Sequence, residues 1–135
     1  MLLDKSALVQ GVDLESGWPD ADLCVCAVTR LEMLFSARSR DDYATLEKAL
    51  DAFRHLRMDV QTFAIAGTAQ RELAAAGEHR VPIPDLLIGA CAQQHAADVL
   101  HVDRHFETLA KVLGFRALRA GRTNGSPDDG VTGHR

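Results

Sequence analysis

Four carboxylic acids fall where an apolar stretch ends or a helical pattern begins. Asp4 closes the opening Met1-Leu2-Leu3, and Glu32 follows the run Leu-Cys-Val-Cys-Ala-Val at 23–28. Asp85 follows Pro84 ahead of a second apolar stretch, and Asp103 follows Asp-Val-Leu-His-Val at 98–102. Carboxylates forced together repel one another and partly protonate, and a divalent cation removes that penalty. Hard oxygen donors favour Mg²⁺ or Mn²⁺ over zinc or copper. Such an ion activates water and clamps phosphate oxygens during an in-line displacement. The chemistry to expect from this group is metal-dependent phosphodiester hydrolysis. Three of the acids also have a purely structural reading. Thr29 and Glu32 spell T-x-x-E, a helix capping box. Asp85 suits a helix dipole, and Asp103 suits an N-cap. Asp4 caps nothing long and is the least explained by structure alone.

The elements that would position these acids follow from periodicity. Residues 1–4 read as a very short strand and 5–11 as one or two helical turns. Residues 13–22 hold Gly17, Trp18 and Pro19 and read as loop. The continuous apolar run at 23–28 suits a strand buried on both faces of a parallel sheet. Helical spacing places helices over 29–38, 41–55 and 61–76, the last stopped by Gly77. Residues 57–59 read as an edge strand. A helix opens at Pro84 and runs to 95, 98–102 is a strand, Asp103 caps a helix to about 113, and 115–118 is a last strand. Strands separated by helices imply a parallel sheet covered on both faces. Ligands of such sheets bind beyond the carboxyl ends of the strands, which is where Asp4, Glu32 and Asp103 fall. Asp85 joins them if its helix starts above that edge.

The 135 residues suit one domain, here expected over 1–118, with 119–135 as a disordered tail. From Ala120 the sequence has almost no apolar content. With 47% hydrophobic and 25% charged residues the chain is neither disordered by default nor membrane-spanning. The first residues lack the basic start and long apolar run of a secretory signal, so a cytoplasmic location is expected. Cys24, Cys26 and Cys91 are odd in number and form no C-x-x-C, which suits buried, reduced thiols. A net charge of −4 argues mildly against a general nucleic-acid coat protein. Twelve of the 15 basic residues are Arg, however, which suits local phosphate contact.

Four segments carry a family resemblance: L-L-D-K-S-A-L around Asp4, C-A-V-T-R-L-E-M-L-F-S-A-R-S around Glu32, V-P-I-P-D-L-L-I-G-A-C-A around Asp85, and V-L-H-V-D-R-H-F around Asp103. In this order they resemble the PIN-domain ribonucleases of the VapC toxin type, of the kind found in actinobacterial toxin–antitoxin pairs. The resemblance covers nearly all of Leu2 to Leu113. It implies a three-layer α/β/α sandwich with a mostly parallel central sheet and an acidic pocket. It also implies that Asp4, Glu32, Asp85 and Asp103 hold Mg²⁺ or Mn²⁺ and that Ser6 supports the pocket by hydrogen bonding. The activity implied is RNA cleavage by metal-activated water, blocked by a small VapB-type antitoxin. A homodimer or a toxin–antitoxin hetero-oligomer is implied as the assembly. Three features depart from the family. The segment between Asp4 and Leu23 is shorter, Lys5 stands where Thr is common, and His105 stands where many relatives carry another acid.

Lys5, Arg38, Arg40, Arg80 and Arg104 flank the predicted acidic edge in sequence and are candidates for RNA phosphate contact. Each is equally an ordinary solvated cation. His101, Asp103 and His105 alternate, but a helix starting at Asp103 would turn His105 away from the strand face, which disfavours a zinc site. The competing functional reading is a shortened, weakly active PIN-like module whose main role is pairing with an antitoxin.

Overall fold

The computed structural model describes residues 1–9, 22–102 and 104–119. Five short strands form one sheet: β1 (Leu2–Leu3), β2 (Cys24–Cys26), β3 (Arg54–Leu56), β4 (Val99–His101) and β5 (Ala117–Arg119). Their order is β3-β2-β1-β4-β5, and every pairing is parallel. The helices among the described residues are α1 (Lys5–Val9), α2 (Ala27–Phe35), α3 (Arg40–Asp51), α4 (Val60–Ala75), α5 (Ile83–Gln94) and α6 (His105–Leu109).

Side-chain alternation along a strand sends neighbours to opposite faces, and here both faces are packed. Leu2, Cys24, Cys26 and Val99 join one core with residues of α4, α5 and α6, including Ala69, Leu73, Ile88, Phe106 and Leu109. Leu3, Val25 and Leu100 join a second core with Ala7 of α1. All residues of β1, β2 and β4 are buried, whereas the edge strand β3 exposes Arg54 and His55. The expected α/β/α layering with a parallel sheet is therefore present. All three cysteines are buried free thiols. A hydrogen bond with Cys26, reinforced by burial, pushes the Cys91 thiol far above the ordinary thiol range, so it stays protonated.

Element boundaries differ from expectation at several places. Helix α2 starts at Ala27, directly at the end of β2, because Thr29 is drawn into the interior. Helix α3 stops at Asp51 rather than near residue 55, and the edge strand is Arg54–Leu56 rather than 57–59. The His55 ring lies 3.1 Å from the Leu50 carbonyl near the α3 end, while Asp59 is the N-cap of α4, in a reciprocal capping box with Thr62. Helix α6 runs only from His105 to Leu109, after which the chain turns so that Arg116 pairs with Asp98 at 2.7 Å and β5 begins. Arg119 belongs to β5 rather than to a tail. The expected loop around Trp18 and the expected tail from Ala120 lie outside the described residues. Gly77, with φ of 73°, ends α4 as its position foretold.

Candidate active site at the carboxyl end of the sheet

The strand order reverses at β1: the chain leaves β1 toward β2 on one side and reaches β4 on the other. In open parallel sheets this switch point opens a crevice beyond the strand ends. Asp4 is the first residue after β1 and is only 3% exposed. Its Oδ2 accepts from the Ser6 backbone N–H at 3.0 Å and from the Ser6 hydroxyl at 2.5 Å. The same Ser6 oxygen accepts from the Val102 N–H at 3.0 Å, just past β4. Ser6 thus ties the ends of β1 and β4 together and holds one face of the Asp4 carboxylate.

Thr29 makes a second tie. Its buried hydroxyl donates to the Leu3 carbonyl at 3.0 Å, fixing the start of α2 against the end of β1. Thr29 is therefore no N-cap, since Cys26 occupies that position, and the capping-box reading of Thr29 and Glu32 does not hold. What the T-x-x-E spacing does instead is place Glu32 one turn beyond Thr29, near Asp4. Burial, and then the Asp4 charge, push the Glu32 carboxyl above its usual range, while Lys5 pulls it down. Two carboxylates and one ammonium thus share the space beyond β1 and β2.

Asp85 stands in the first turn of α5, whose N-cap is Pro82, and is 8% exposed. Its Oδ2 lies 3.0 Å from Nδ1 of His105 at the start of α6. A helix starting at Asp103, as the sequence predicts, would turn His105 away. The helix begins instead at His105, with Arg104 in the N-cap position, so the ring faces Asp85. Asp103 lies outside the described residues. Among the described residues, no group of three or more His, Cys, Asp or Glu side chains is close enough to hold a metal ion. The structure brings Asp4 and Glu32 together and pairs Asp85 with His105. The charges that shift Glu32 do not include Asp85.

The five cations singled out from sequence are distributed as follows. Lys5 opens α1 half-buried, Arg38 and Arg40 flank the turn between α2 and α3, and Arg80 precedes α5. Arg104 precedes α6, and the four arginines are exposed. Among the described residues none of the five side chains forms a salt bridge, although the Arg38 backbone N–H donates to Asp42 at 2.9 Å and the Lys5 charge acts on Glu32. Arg54, Arg57, Arg116, Arg119 and Lys111 each form one salt bridge, and Arg30 forms two, with Glu47 and Asp51. No described helix is long and apolar enough to cross a membrane.

The family model for the PIN domain matches residues 1–112. The chain belongs to the PIN-domain family. Among curated proteins, this PIN domain is 40% identical over 127 residues to Ribonuclease VapC17 of Mycobacterium tuberculosis, covering 90% of this chain and 96% of that one. It is 39% identical over 119 residues to Ribonuclease VapC21 of the same organism, covering 82% and 86%. Among solved structures it is similar to a member of the VapBC family of toxin–antitoxin systems, VapBC-5 from Mycobacterium tuberculosis. That match has a TM-score of 0.72 and 25% identity, over 88% of this chain and 97% of that one. DNA-bound VapBC from Salmonella typhimurium shares the fold, with a TM-score of 0.74 at 21% identity. Relatives of this PIN domain are thus ribonucleases by name, and its structural neighbours are toxin–antitoxin proteins.

Two roles in the site were not read from residue spacing alone. The Thr29–Leu3 tie was hidden because T-x-x-E reads as a cap. The His105–Asp85 contact joins residues twenty apart through the packing of two helices. The only sequence signal for it was the D-x-H at 103–105.

Proposed function

We propose that this chain is a VapC-type endoribonuclease toxin that cleaves cellular RNA and is neutralised by a VapB-type antitoxin. The observation that carries the reading is the placement of Asp4 and Glu32. The Asp4 charge reaches Glu32 at the switch point of a PIN fold that is 40% identical to a VapC ribonuclease.

PIN-domain ribonucleases of this kind are generally metal-dependent, and the donors present fit a hard divalent cation. They are oxygens, and the Glu32 carboxyl is raised first by burial and then by the Asp4 charge, both penalties that a dication relieves. Asp4, Glu32, Asp85 and Asp103 are the residues that would hold Mg²⁺ or Mn²⁺. When bound, the ion supplies charge to phosphate oxygens and acidifies water. The protein's own contribution is positional. Ser6 fixes the Asp4 carboxylate, and Thr29 fixes the backbone on which Asp4 sits. Lys5, Arg38, Arg40, Arg80 and Arg104 draw in RNA phosphates, a role to which the exposure of the four arginines lends support. Leu31 and Phe35 lie four apart on α2 and are 65% and 90% exposed, giving an antitoxin an apolar face.

The test is cleavage of total bacterial RNA by the purified chain with Mn²⁺, with EDTA, and with the Asp4→Asn/Asp85→Asn double variant. Discrete fragments that vanish with EDTA and with the folded double variant are expected. Undiminished cleavage by that variant overturns the assignment of these acids. A folded, Mn²⁺-loaded protein that cleaves nothing favours the second reading, an antitoxin-binding module, to which the exposed α2 face also lends support.

A further inference from the structure

His105 and Asp85 make a contact unlike the other ion pairs found among the described residues. The acid partners in those pairs have side-chain exposures between 27% and 61%, whereas the Asp85 side chain is only 11% exposed. Water therefore reaches this acid least, while the His105 side chain is 37% exposed. Both groups also sit on rigid supports. Asp85 belongs to a helix whose next residues, including Leu86, Ile88, Gly89 and Ala90, are buried. His105 is followed by Phe106, which is fully buried and packs against the His101 ring of β4 with centroids 5.4 Å apart. Leu109 anchors the other end of α6 in the same core. The 3.0 Å contact thus spans two elements whose backbones are fixed by packing.

A carboxylate offers only acceptors, so the ring nitrogen that faces it, Nδ1, carries the hydrogen. One oriented N–H is then delivered to one named oxygen, Oδ2, of a candidate metal ligand. We propose that His105 is a positioning residue for Asp85, holding its carboxylate in one orientation so that the site's affinity for a divalent cation depends on the imidazole Nδ1–H. The inference rests on Asp85 being a metal ligand, as proposed above. It concerns orientation through a hydrogen bond, and it makes His105 neither a ligand nor a base. Outer partners of metal-ligating groups change metal affinity by about 10- to 100-fold when removed.

The experiment is Mn²⁺ binding to the full chain, followed by the loss of the free Mn²⁺ electron paramagnetic resonance signal. Wild type, His105→Phe, His105→Asn and the Asp4→Asn/Asp85→Asn control are compared, with folding checked by circular dichroism. Phe keeps the ring's bulk without the donor, and the Asn Nδ2–H lies where the His Nδ1–H was. The expected result is a dissociation constant about 10- to 100-fold weaker for His105→Phe, with His105→Asn restored to near the wild-type value. A merely structural role would not be rescued by a side chain that shares only the donor. If His105→Phe fails to fold, His105→Ala carries the same expectation. Equal Mn²⁺ affinity in wild type and the folded donor-less variant overturns the inference and leaves the metal site standing, as does weak binding by His105→Asn. Binding by wild type no stronger than by the double-variant control overturns the metal reading, and this inference with it.

Discussion

Replacing Ser6 by alanine tests the central geometry of the site. The substitution deletes one oxygen that does two jobs: it donates to Asp4 Oδ2 at 2.5 Å and accepts from the Val102 N–H at 3.0 Å. A hydrogen bond to a charged acceptor contributes about 1.5–3 kcal/mol, and one between neutral groups about 0.5–1.5 kcal/mol. Ser6 is half-buried, so water recovers part of both, and the Ser6 backbone N–H still reaches Asp4 at 3.0 Å. A net loss of about 2 kcal/mol is expected, near the low end of the summed range. For a domain of this size that corresponds to a melting point lower by about 8 °C. The assay is urea unfolding of the metal-free chain, repeated in an Asp4→Ala background. There the donated bond is already gone, so Ser6→Ala should cost only about 1 kcal/mol, a coupling of about 1 kcal/mol between the two residues. Equal costs in both backgrounds would refute the reasoning, because they would mean that the 2.5 Å contact contributes nothing.

Other expectations follow from single features. Glu32→Gln should raise the melting point of the metal-free protein at pH 7. A carboxyl whose folded-state pKa is raised loses stability as pH rises from its unfolded value of 4.5 through the higher folded value, and glutamine has no such loss. Added Mn²⁺ should then stabilise wild type more than the variant in the same thermal scan. Asp59 behaves oppositely: the Arg57 guanidinium and the Gln94 amide hold its carboxyl at about 2. The stability it contributes is present above about pH 4 and is lost as pH falls toward 2, and melting curves of Asp59→Asn across that window should be flatter. Ala96 ends α5 with φ of 53°, a left-handed conformation that costs a residue with a Cβ about 1 kcal/mol. Ala96→Gly should recover about that amount in urea unfolding, and no gain would show that the backbone is not strained there. Gly67 lies inside α4 with nothing within 4 Å of an added Cβ, so Gly67→Ala should stabilise by up to about 1 kcal/mol.

The sequence alone determined the α/β class and the parallel sheet. Runs such as Leu-Cys-Val-Cys-Ala-Val are too uniformly apolar for a sheet with a wet face, and helices between strands force parallel crossovers. It also located the acids, because Asp4, Glu32 and Asp85 each fall at an element junction that local pattern can find. Only the tertiary structure decided what those junctions do. Thr29 and Glu32 spell a cap in one dimension. In three dimensions Thr29 lies beside the Leu3 carbonyl, 26 residues away in the chain, and the capping pair dissolves. Ser6 reaches Val102 across 96 residues, and His105 reaches Asp85 across twenty, through helix packing that no periodicity encodes. The boundary errors at Asp51, Asp59 and Leu109 share this origin. Propensity favours continuing a helix or a strand, whereas the chain stops where a capping side chain or a buried neighbour satisfies its backbone better. Short-range pattern fixes which residues can do chemistry; long-range packing fixes which of their atoms meet.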